Sequence, residues 1–190
     1  MPGDTEIEIK IPLDEKTFSK VREKLRELAE FRKKIRQVDD YYTPPHRNFL
    51  EPEIPYEWLR IGKRGDRTIL SYKHWYLDKE AGTGTHCDEI NIEVREPEQI
   101  RKLFTALNFK KLVTVDKQRE IYSNDGFEIV LDFVKDLGHF IEIESKKDFG
   151  GVEETRKKLF EFAKNLGIDS SNPDKLGYPF SLLKKKGLIK

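Results

Sequence analysis

The residues near the N-terminus whose types and spacing could do chemistry are Glu6, Glu8 and Lys10. Side chains of a β-strand alternate between its two faces, so these three would share one face while Ile7 and Ile9 lie on the other. Two carboxylates at this spacing could share a hard cation such as Mg²⁺ or Mn²⁺, and the lysine could bind a phosphate oxygen beside that cation. A solvent-facing strand shows the same alternation, so this motif alone leaves both interpretations open.

The composition argues against several classes of protein. The 190 residues contain 36 Lys and Arg against 35 Asp and Glu, so the chain lacks the basic excess typical of a general polyanion binder. No apolar run approaches the ~20 residues of a membrane-spanning helix, and no signal peptide opens the chain. We therefore expect a single domain, residues 1–190, in a cytoplasmic protein that binds neither nucleic acid nor membrane. The one cysteine, Cys87, excludes an internal disulfide.

The elements that must position the charged residues follow from periodicity. Apolar stripes at helical spacing predict three helices, from residue 14 to about 30, from residue 96 onwards and over 152–166. Alternating segments predict strands over 6–11, 32–42, 58–62, 68–75, 87–94, 109–115, 118–123, 127–133 and 139–145. The proline-bearing segment 44–55 is predicted to be a loop, and it has no recognisable motif.

Many of the predicted strands carry charges on one face and aliphatic residues on the other. Residues Glu142 and Glu144, for example, alternate with Ile141 and Ile143. The three apolar helix stripes need a surface to cover, and the aliphatic strand faces provide it. The charged faces then look either to bulk water, as in an open sheet, or into the interior of an antiparallel barrel. An interior with both signs of charge suits a triphosphate accompanied by divalent cations.

Further segments in a fixed order give the chain a family resemblance. They are the Glu6-x-Glu8-x-Lys10 motif, Leu59-Arg60, Ser71-Tyr72-Lys73, the acidic segment 89–93, the segment 116–122, Leu131-Asp132, the segment 137–144 and the Tyr-containing segment 177–183. With these residues the chain resembles the CYTH superfamily, named for class IV adenylate cyclases and thiamine triphosphatases and also called triphosphate tunnel metalloenzymes. The resemblance spans nearly the whole chain. It implies an α+β fold in which helices pack on the outside of an eight-stranded antiparallel β-barrel, the triphosphate tunnel.

The resemblance also implies roles for particular residues. The implied catalytic residues are Glu6, Glu8 and Lys10, and the implied cofactor is Mg²⁺ or Mn²⁺. The triphosphate would be bound by Lys10, Arg60, Lys73, Lys117 and Arg119. The metal ions would be held by Glu6, Glu8, Glu89, Glu93, Asp132, Glu142 and Glu144. The substrate partner would be a small molecule bearing a triphosphate, and a homodimer is possible because the family often forms dimers.

Two positions depart from the family pattern. Asn91 stands where many members have a glutamate, which puts the metal role of that strand in doubt. Gly62 replaces the second basic residue of an Arg-x-Arg pair, for which Lys63 or Arg64 could compensate from the neighbouring turn.

The segment 116–122 looks most like class IV adenylate cyclases, which convert ATP to cyclic AMP and pyrophosphate. An alternative within the superfamily is a triphosphatase that hydrolyses inorganic triphosphate, thiamine triphosphate or nucleoside triphosphates. A further alternative, from another functional class, is a non-catalytic module that binds nucleotides or polyphosphate. Side-chain types alone do not distinguish these three, because the position of the substrate decides which phosphorus meets a nucleophile.

Overall fold

The computed structural model describes residues 5–78, 83–174 and 176–189, with side chains for residues 7–76, 87–174 and 176–189. The helices of this part of the chain are α1 (Glu15–Leu28), α2 (Pro97–Ala106), α3 (Val152–Asn165) and α4 (Gly177–Lys185). Its strands are β1 (Thr5–Glu6), β2 (Glu8–Leu13), β3 (Glu30–Thr43), β4 (Glu57–Arg64), β5 (Arg67–Asp78), β6 (Thr83–Val94), β7 (Lys110–Asn124), β8 (Phe127–Val134) and β9 (Gly138–Ser145).

Local chemistry explains where several elements begin. Asp14 caps α1, because its carboxylate accepts a hydrogen bond from the backbone N–H of Thr17 at 2.8 Å. Pro97 occupies the first turn of α2, where its missing N–H costs no helical hydrogen bond. The turn between β7 and β8 uses Asp125 and Gly126, whose φ angles are 34° and 88°. Positive φ at both positions is the requirement of a tight hairpin turn.

The chain forms two compact units, each built from separate segments. Unit 1 comprises Met1–Thr5, Arg36–Asp116 and Leu176–Lys190, and unit 2 comprises Glu6–Ile35 and Lys117–Lys175. Strands β3 and β7 each contribute residues to both units. The expectation of a single domain over residues 1–190 stays a prediction.

In unit 2, the strands lie in the order β3-β7-β8-β9-β2. Strand β9 pairs with β2 and with β8 in antiparallel register. One face of these strands is apolar and packs against α1 and α3. The resulting core contains Ile9, Ile11, Phe18, Val21, Leu25, Tyr122, Ile129, Leu131, Ile141, Ile143, Leu159, Ala163, Leu166 and Ile168. By alternation, the charged residues of the same strands lie on the opposite face.

In unit 1, the strands lie in the order β6-β5-β4-β3-β7. The pairs β3–β4, β4–β5 and β5–β6 are antiparallel. Helix α2 contributes Phe104 to a core cluster with Tyr42 and Ile61. The residues of β3 and β4 that alternate with these two, including Tyr41 and Arg60, lie on the other face of the sheet. Each unit therefore has an apolar face that packs on helices and a charged face.

The predicted fold class is confirmed. In the part of the chain that the structure describes, eight strands besides the two-residue β1 form the sheet. The strand pairs with an assigned register are antiparallel, and apolar strand faces pack against helices. Among the described residues, no helix is both long and apolar enough to cross a membrane.

Two details differ from the sequence expectation. The strands expected over 109–115 and 118–123 are one strand, β7, because Val113, Val115 and Lys117 are buried at alternate positions. The alternation continues through Asp116 and Lys117, the charged residues that lie between the two predicted strands. The structure also contains a fourth helix, α4, which was not predicted. Pro179 lies in its first turn, where proline is tolerated.

An ion cluster on the apolar face of unit 1 gives a pH-dependent prediction. The Asp40 carboxylate pairs with Arg101 of α2, with Lys111 at 2.5 Å and with the Thr114 hydroxyl at 2.8 Å. Burial raises the pKa of Asp40, but the contacts with Lys111 and Thr114 and the charge of Arg101 lower it by more. The pKa of Asp40 in the folded state is therefore below its ordinary value of 3.8.

A depressed carboxyl pKa stabilises the folded state above the unfolded-state pKa and ceases to do so as the pH falls. We therefore expect Asp40→Asn to lower the free energy of unfolding at about pH 7, and to lower it less at about pH 3. Urea titrations followed by circular dichroism at both pH values measure this difference. Asp66→Asn, at an exposed turn position, is the control. An effect of Asp40→Asn that is equal at both pH values would contradict the assigned role.

Candidate active site

The charged face of unit 2 gathers five of the predicted site residues into one ion-linked group. This unit-2 charged cluster consists of Glu8, Lys10, Arg119, Asp132 and Glu142. The Lys10 Nζ lies 3.4 Å from Glu8 Oε1 and 3.2 Å from Glu142 Oε2. Arg119 binds Asp132 through two hydrogen bonds of 2.9 and 2.6 Å, and its Nη2 also lies 3.2 Å from Glu142. Glu142 therefore links the two cations.

Strand register brings these residues together. Lys10 of β2 lies directly opposite Glu142 of β9, and Arg119 of β7 lies directly opposite Asp132 of β8. Paired residues in an antiparallel sheet project to the same face with their Cβ atoms about 5 Å apart. A register shift of one residue in any of these pairs would turn the charged side chains into the apolar core of the unit.

Burial makes this cluster electrostatically strong. The Asp132 side chain is fully buried, and the side chains of Lys10 and Arg119 are only 12% and 13% exposed. Burial lowers the pKa of Lys10, but the charges of Glu8, Glu142 and Asp174 raise it by more. The net effect is a pKa of Lys10 above its usual range, so this side chain is a permanent cation at neutral pH.

Asp174 was missed by the sequence analysis. Its backbone N–H donates a 2.7 Å hydrogen bond to the Lys10 carbonyl, and its carboxylate charge acts on the Lys10 ammonium. The residue lies in the irregular segment between α3 and α4. No strand alternation or motif marks it in the sequence, because its place depends on how this segment lies along β2.

Two further predicted residues of unit 2, Lys117 and Glu144, lie on the same face. Lys117 is buried on β7, two positions before Arg119. Glu144 lies directly opposite Glu8 on one side and Glu128 on the other, and it pairs with Lys146 at 2.7 Å. Like charges directly opposite one another are unfavourable unless a cation compensates them. The side chain of Glu6 lies outside the described side chains, so its predicted role stays a prediction.

The charged face of unit 1 carries a second group. This unit-1 charged cluster consists of Asp39, Arg60, Arg64, Lys73 and Glu89. The Glu89 carboxylate lies 3.3 Å from Arg60 and 3.4 Å from Lys73, and the Asp39 carboxylate lies 2.6 Å from Arg64. Burial lowers the pKa of Arg60, but the charges of Asp39 and Glu89 and the hydrogen bond with Tyr41 raise it by more. Arg60 is thereby fixed in its charged form.

The outcome for β6 is mixed. Glu89 lies beside Arg60 and Lys73, and its implied role as a metal ligand stays a prediction. Glu93 does not join them. Its side chain is 57% exposed, and its carboxylate lies 3.9 Å from the Arg67 guanidinium. Asn91, the departure from the family pattern, accepts a 2.6 Å hydrogen bond from the Ser71 hydroxyl. Of the two other members of the unit-1 cluster, Asp39 was not predicted as a site residue, and Arg64 was, with Lys63, one of two alternatives for the basic residue that Gly62 replaces.

The segment 44–55, which had no motif, forms part of a separate cleft of about 270 Å³ in unit 1. The cleft is lined by Arg47, Asn48, Phe49, Glu51, Pro52, Tyr56 and Glu57. Arg47 and Glu57 of this cleft form an ion pair at 2.9 Å. The Tyr72 hydroxyl donates a hydrogen bond to the same carboxylate. Burial, together with the contact to Glu57, raises the pKa of Tyr72 to about 12. These contacts anchor the loop to β4 and β5.

The carboxylates of both clusters suit hard divalent cations in chemistry, because Mg²⁺ and Mn²⁺ prefer oxygen ligands. Within the described residues, however, no three His, Cys, Asp or Glu side chains lie close enough together to hold a metal ion. Lysine and arginine side chains stand between the carboxylates instead. The predicted metal roles of Glu8, Glu89, Glu93, Asp132, Glu142 and Glu144 therefore stay predictions.

Two comparisons establish the family. The model of the CYTH domain matches residues 4–178, which includes both charged clusters. The chain belongs to the CYTH family. A curated Methanocaldococcus jannaschii protein with the name putative adenylate cyclase is 34% identical over 169 residues, which cover 88% of this chain and 92% of that protein. The recognition of the family from its ordered motifs is thereby confirmed.

Solved CYTH-like structures agree with the fold. A Pyrococcus horikoshii OT3 protein has a TM-score of 0.78 and 31% sequence identity, and the match covers 95% of this chain and 99% of that one. A Hippeastrum protein described as a putative adenylyl cyclase with a dominant triphosphatase activity has a TM-score of 0.64 and 17% identity, covering 96% and 95% of the two chains. At that identity the Hippeastrum structure supports the fold alone.

Proposed function

We propose that this protein is a divalent-metal-dependent enzyme that transfers phosphoryl groups of a triphosphate-bearing small molecule. The observation that carries the proposal is the unit-2 charged cluster, in which two buried cations share three carboxylates. Burying so many charges in a fold is costly unless a ligand or a function repays the cost. Membership of the CYTH family supports the same class of chemistry.

The basic residues are proposed to bind the triphosphate. In unit 2, Lys10, Lys117 and Arg119 would contact its oxygens. Arg60 and Lys73 of unit 1 are the further basic residues that the family resemblance implies. Arg119 offers the planar pair of donors that matches phosphate geometry, whereas Lys10 offers a compact charge. In the absence of substrate, the carboxylates balance these charges. When a triphosphate binds, its oxygens replace the carboxylates as partners of Lys10 and Arg119.

The carboxylates released from those ion pairs are proposed to hold Mg²⁺ or Mn²⁺. Glu8, Asp132 and Glu142 would provide the oxygen ligands in unit 2. Glu6, Glu144, Glu89 and Glu93 are the further acids that the family resemblance implies. A divalent ion bound to a triphosphate neutralises its charge and polarises its phosphoryl oxygens. The protein's own contribution is to orient the substrate and to stabilise the charge that develops on the departing oxygens.

Class IV adenylate cyclase activity is the reaction that we propose first. The ribose 3′-hydroxyl attacks the α-phosphorus of ATP, a new O–P bond closes the ring, and the bond to the pyrophosphate oxygen breaks. The hydroxyl proton leaves to solvent or to a nearby carboxylate. This proposal is supported by the resemblance of the segment 116–122 and by the name of the Methanocaldococcus jannaschii relative.

Triphosphatase activity is the second candidate. Water then attacks the terminal phosphorus, and a diphosphate leaves with the electron pair of the broken bond. The candidate is supported by membership of the CYTH family, which is named in part for thiamine triphosphatases. The same basic residues serve both reactions, because both stabilise charge on a leaving phosphate oxygen.

One assay distinguishes these functions. The purified protein is incubated with Mg²⁺ or Mn²⁺ and with ATP, inorganic triphosphate or thiamine triphosphate, and cyclic AMP, pyrophosphate and phosphate are measured. Cyclic AMP with pyrophosphate supports the cyclase, and phosphate release supports the triphosphatase. Tight binding of the substrates without turnover would instead support the non-catalytic binding module. A lack of both binding and turnover would overturn the proposal. The cytoplasmic location and the homodimer stay predictions.

A further inference from the structure

Gly62 lies at a crowded position on the charged face of unit 1. Residues 60, 62 and 64 of β4 point to one face, and their partners on β3 are Tyr41, Asp39 and Gln37. A Cβ atom placed on Gly62 would lie 2.3 Å from Asp39 Oδ1 and 2.8 Å from Arg64 Nη1. Both distances are far below van der Waals contact. The space over Gly62 is therefore filled by the ion pair of Asp39 and Arg64.

Arg64 reaches this space by folding back along its own strand. Its backbone is paired with Gln37, two positions beyond the Gly62–Asp39 pair, yet its Nη1 lies 2.6 Å from Asp39 Oδ1. Its side chain is 17% exposed, although the residue lies beside the turn that joins β4 to β5. Asp39 is fully buried. A buried carboxylate thus holds the guanidinium over the sheet face instead of in solvent.

The neighbouring Lys63 behaves differently. Alternation places it on the opposite face of β4 from Arg60 and Arg64, and it is exposed. The sequence alone left Lys63 and Arg64 as equal candidates for the missing basic charge beside Arg60. The fold distinguishes the two residues, because Arg64 lies on the same face as Arg60 and contacts the buried Asp39 carboxylate, whereas Lys63 does neither.

The unit-1 cluster brings several cations to one face. Arg60, Arg64 and Lys73 share this face with the buried carboxylate of Asp39 and the half-buried carboxylate of Glu89. Asp39 lies close enough to raise the pKa of Arg60 as well as to bind Arg64. Among anions with several oxygens, guanidinium groups favour phosphate, because their planar donors match its geometry.

We propose that Arg64 is a triphosphate-binding residue of this protein and that Asp39 is the positioning residue that holds it over Gly62. This inference rests on the proposed function, because it assigns a further contact to the same substrate. The glycine is then required at position 62 for space. Any larger residue there would displace the guanidinium that supplies the charge.

The test measures binding of inorganic triphosphate by isothermal titration calorimetry, with EDTA present so that metal-dependent turnover does not contribute heat. We expect Arg64→Ala to weaken binding about 10- to 100-fold, the range for loss of a charged hydrogen-bond donor. Lys63→Ala removes the same charge from the adjacent position and should change the affinity less than about 2-fold. Equal effects of the two substitutions would overturn the proposal.

Two further variants separate positioning from general damage to the fold. Gly62→Ala keeps every charge but places a methyl group where the ion pair lies, and we expect it to weaken binding towards the level of Arg64→Ala. Asp39→Asn should weaken binding in the native background and have a smaller effect when Arg64 is already alanine. A purely structural role of Asp39 would give the same loss in both backgrounds, which would overturn its assignment as a positioning residue.

Binding of inorganic triphosphate by the wild-type protein shows whether a negative result concerns Arg64 alone or the proposed function as well. If the wild-type protein binds inorganic triphosphate and Arg64→Ala binds it equally well, the proposed function stands and the role of Arg64 is wrong. If the wild-type protein does not bind inorganic triphosphate in EDTA, the titration is repeated with Mg²⁺ and with ATP and thiamine triphosphate, and a lack of binding and turnover with all of them would overturn both.

Discussion

Replacement of Glu8 by glutamine is expected to lower metal-dependent turnover at least about 100-fold, since even an outer-shell partner of a metal site can cost that much when mutated. The substitution removes the negative charge but keeps the volume of the side chain. Glu8 lies on the charged face of β2, away from the apolar core that Ile9 and Ile11 join. Lys10 would keep Glu142 as a partner at 3.2 Å. The fold should therefore survive.

The measurement compares initial rates over a range of Mg²⁺ and Mn²⁺ concentrations, with thermal unfolding as the check on the fold. If Glu8 is a metal ligand, Glu8→Gln should need a much higher metal concentration than the wild-type protein to reach its residual rate. Glu27→Gln, on the exposed surface of α1, is the matched control and should leave the rate unchanged. Full activity of Glu8→Gln would remove Glu8 from the metal site.

The charged faces could be predicted from the sequence because they depend on a local rule. Alternation along β2, β8 and β9 is enough to place Glu8, Lys10, Asp132 and Glu142 opposite the aliphatic residues. The apolar stripes of α1 and α3 indicate which side the helices cover. The ordered motifs then identified the family, which supplied Arg60 and Lys73 without any geometric reasoning.

The residues that were missed, or left as one of two alternatives, depend on geometry that no local pattern encodes. Asp39 gains its role because the β3–β4 register places it opposite Gly62, 23 positions away in the chain. Arg64 gains its role because its long side chain can turn back over a residue without a Cβ atom. Asp174 lies in an irregular segment whose course along β2 depends on tertiary packing. Register and loop course are tertiary properties, so strand periodicity alone gives no signal for these contacts.

The ion pair of Arg119 and Asp132 leads to the largest expected effect on stability. Asp132 is fully buried and receives two hydrogen bonds from the Arg119 guanidinium, at 2.9 and 2.6 Å. Arg119→Met keeps much of the packing of the side chain but leaves this carboxylate without its bidentate partner. Removing one partner of a buried pair typically costs about 3–5 kcal/mol. We expect a loss of that size in the free energy of unfolding, measured by urea titration at about pH 7.

A second ion pair of the same geometry provides the control. Arg36 of β3 also makes two hydrogen bonds to one carboxylate, that of Asp116, at 2.9 and 2.7 Å, but its side chain is 67% exposed. Water can solvate Asp116 when this arginine is lost, so Arg36→Met should change stability far less than Arg119→Met. Equal losses of unfolding free energy in the two variants would show that burial of the ion pair does not determine the cost of removing its arginine.

The double variant Arg119→Met/Asp132→Asn completes the argument, because it removes the buried negative charge together with its partner. It should be more stable than Arg119→Met alone, since the cost of the single change lies mainly in the uncompensated carboxylate. If instead the two substitutions simply add, Asp132 does not depend on Arg119 for its charge balance. Arg119 and Asp132 would then not balance each other's charge in the absence of substrate, and the proposed exchange of this ion pair for triphosphate and metal partners would fail with it.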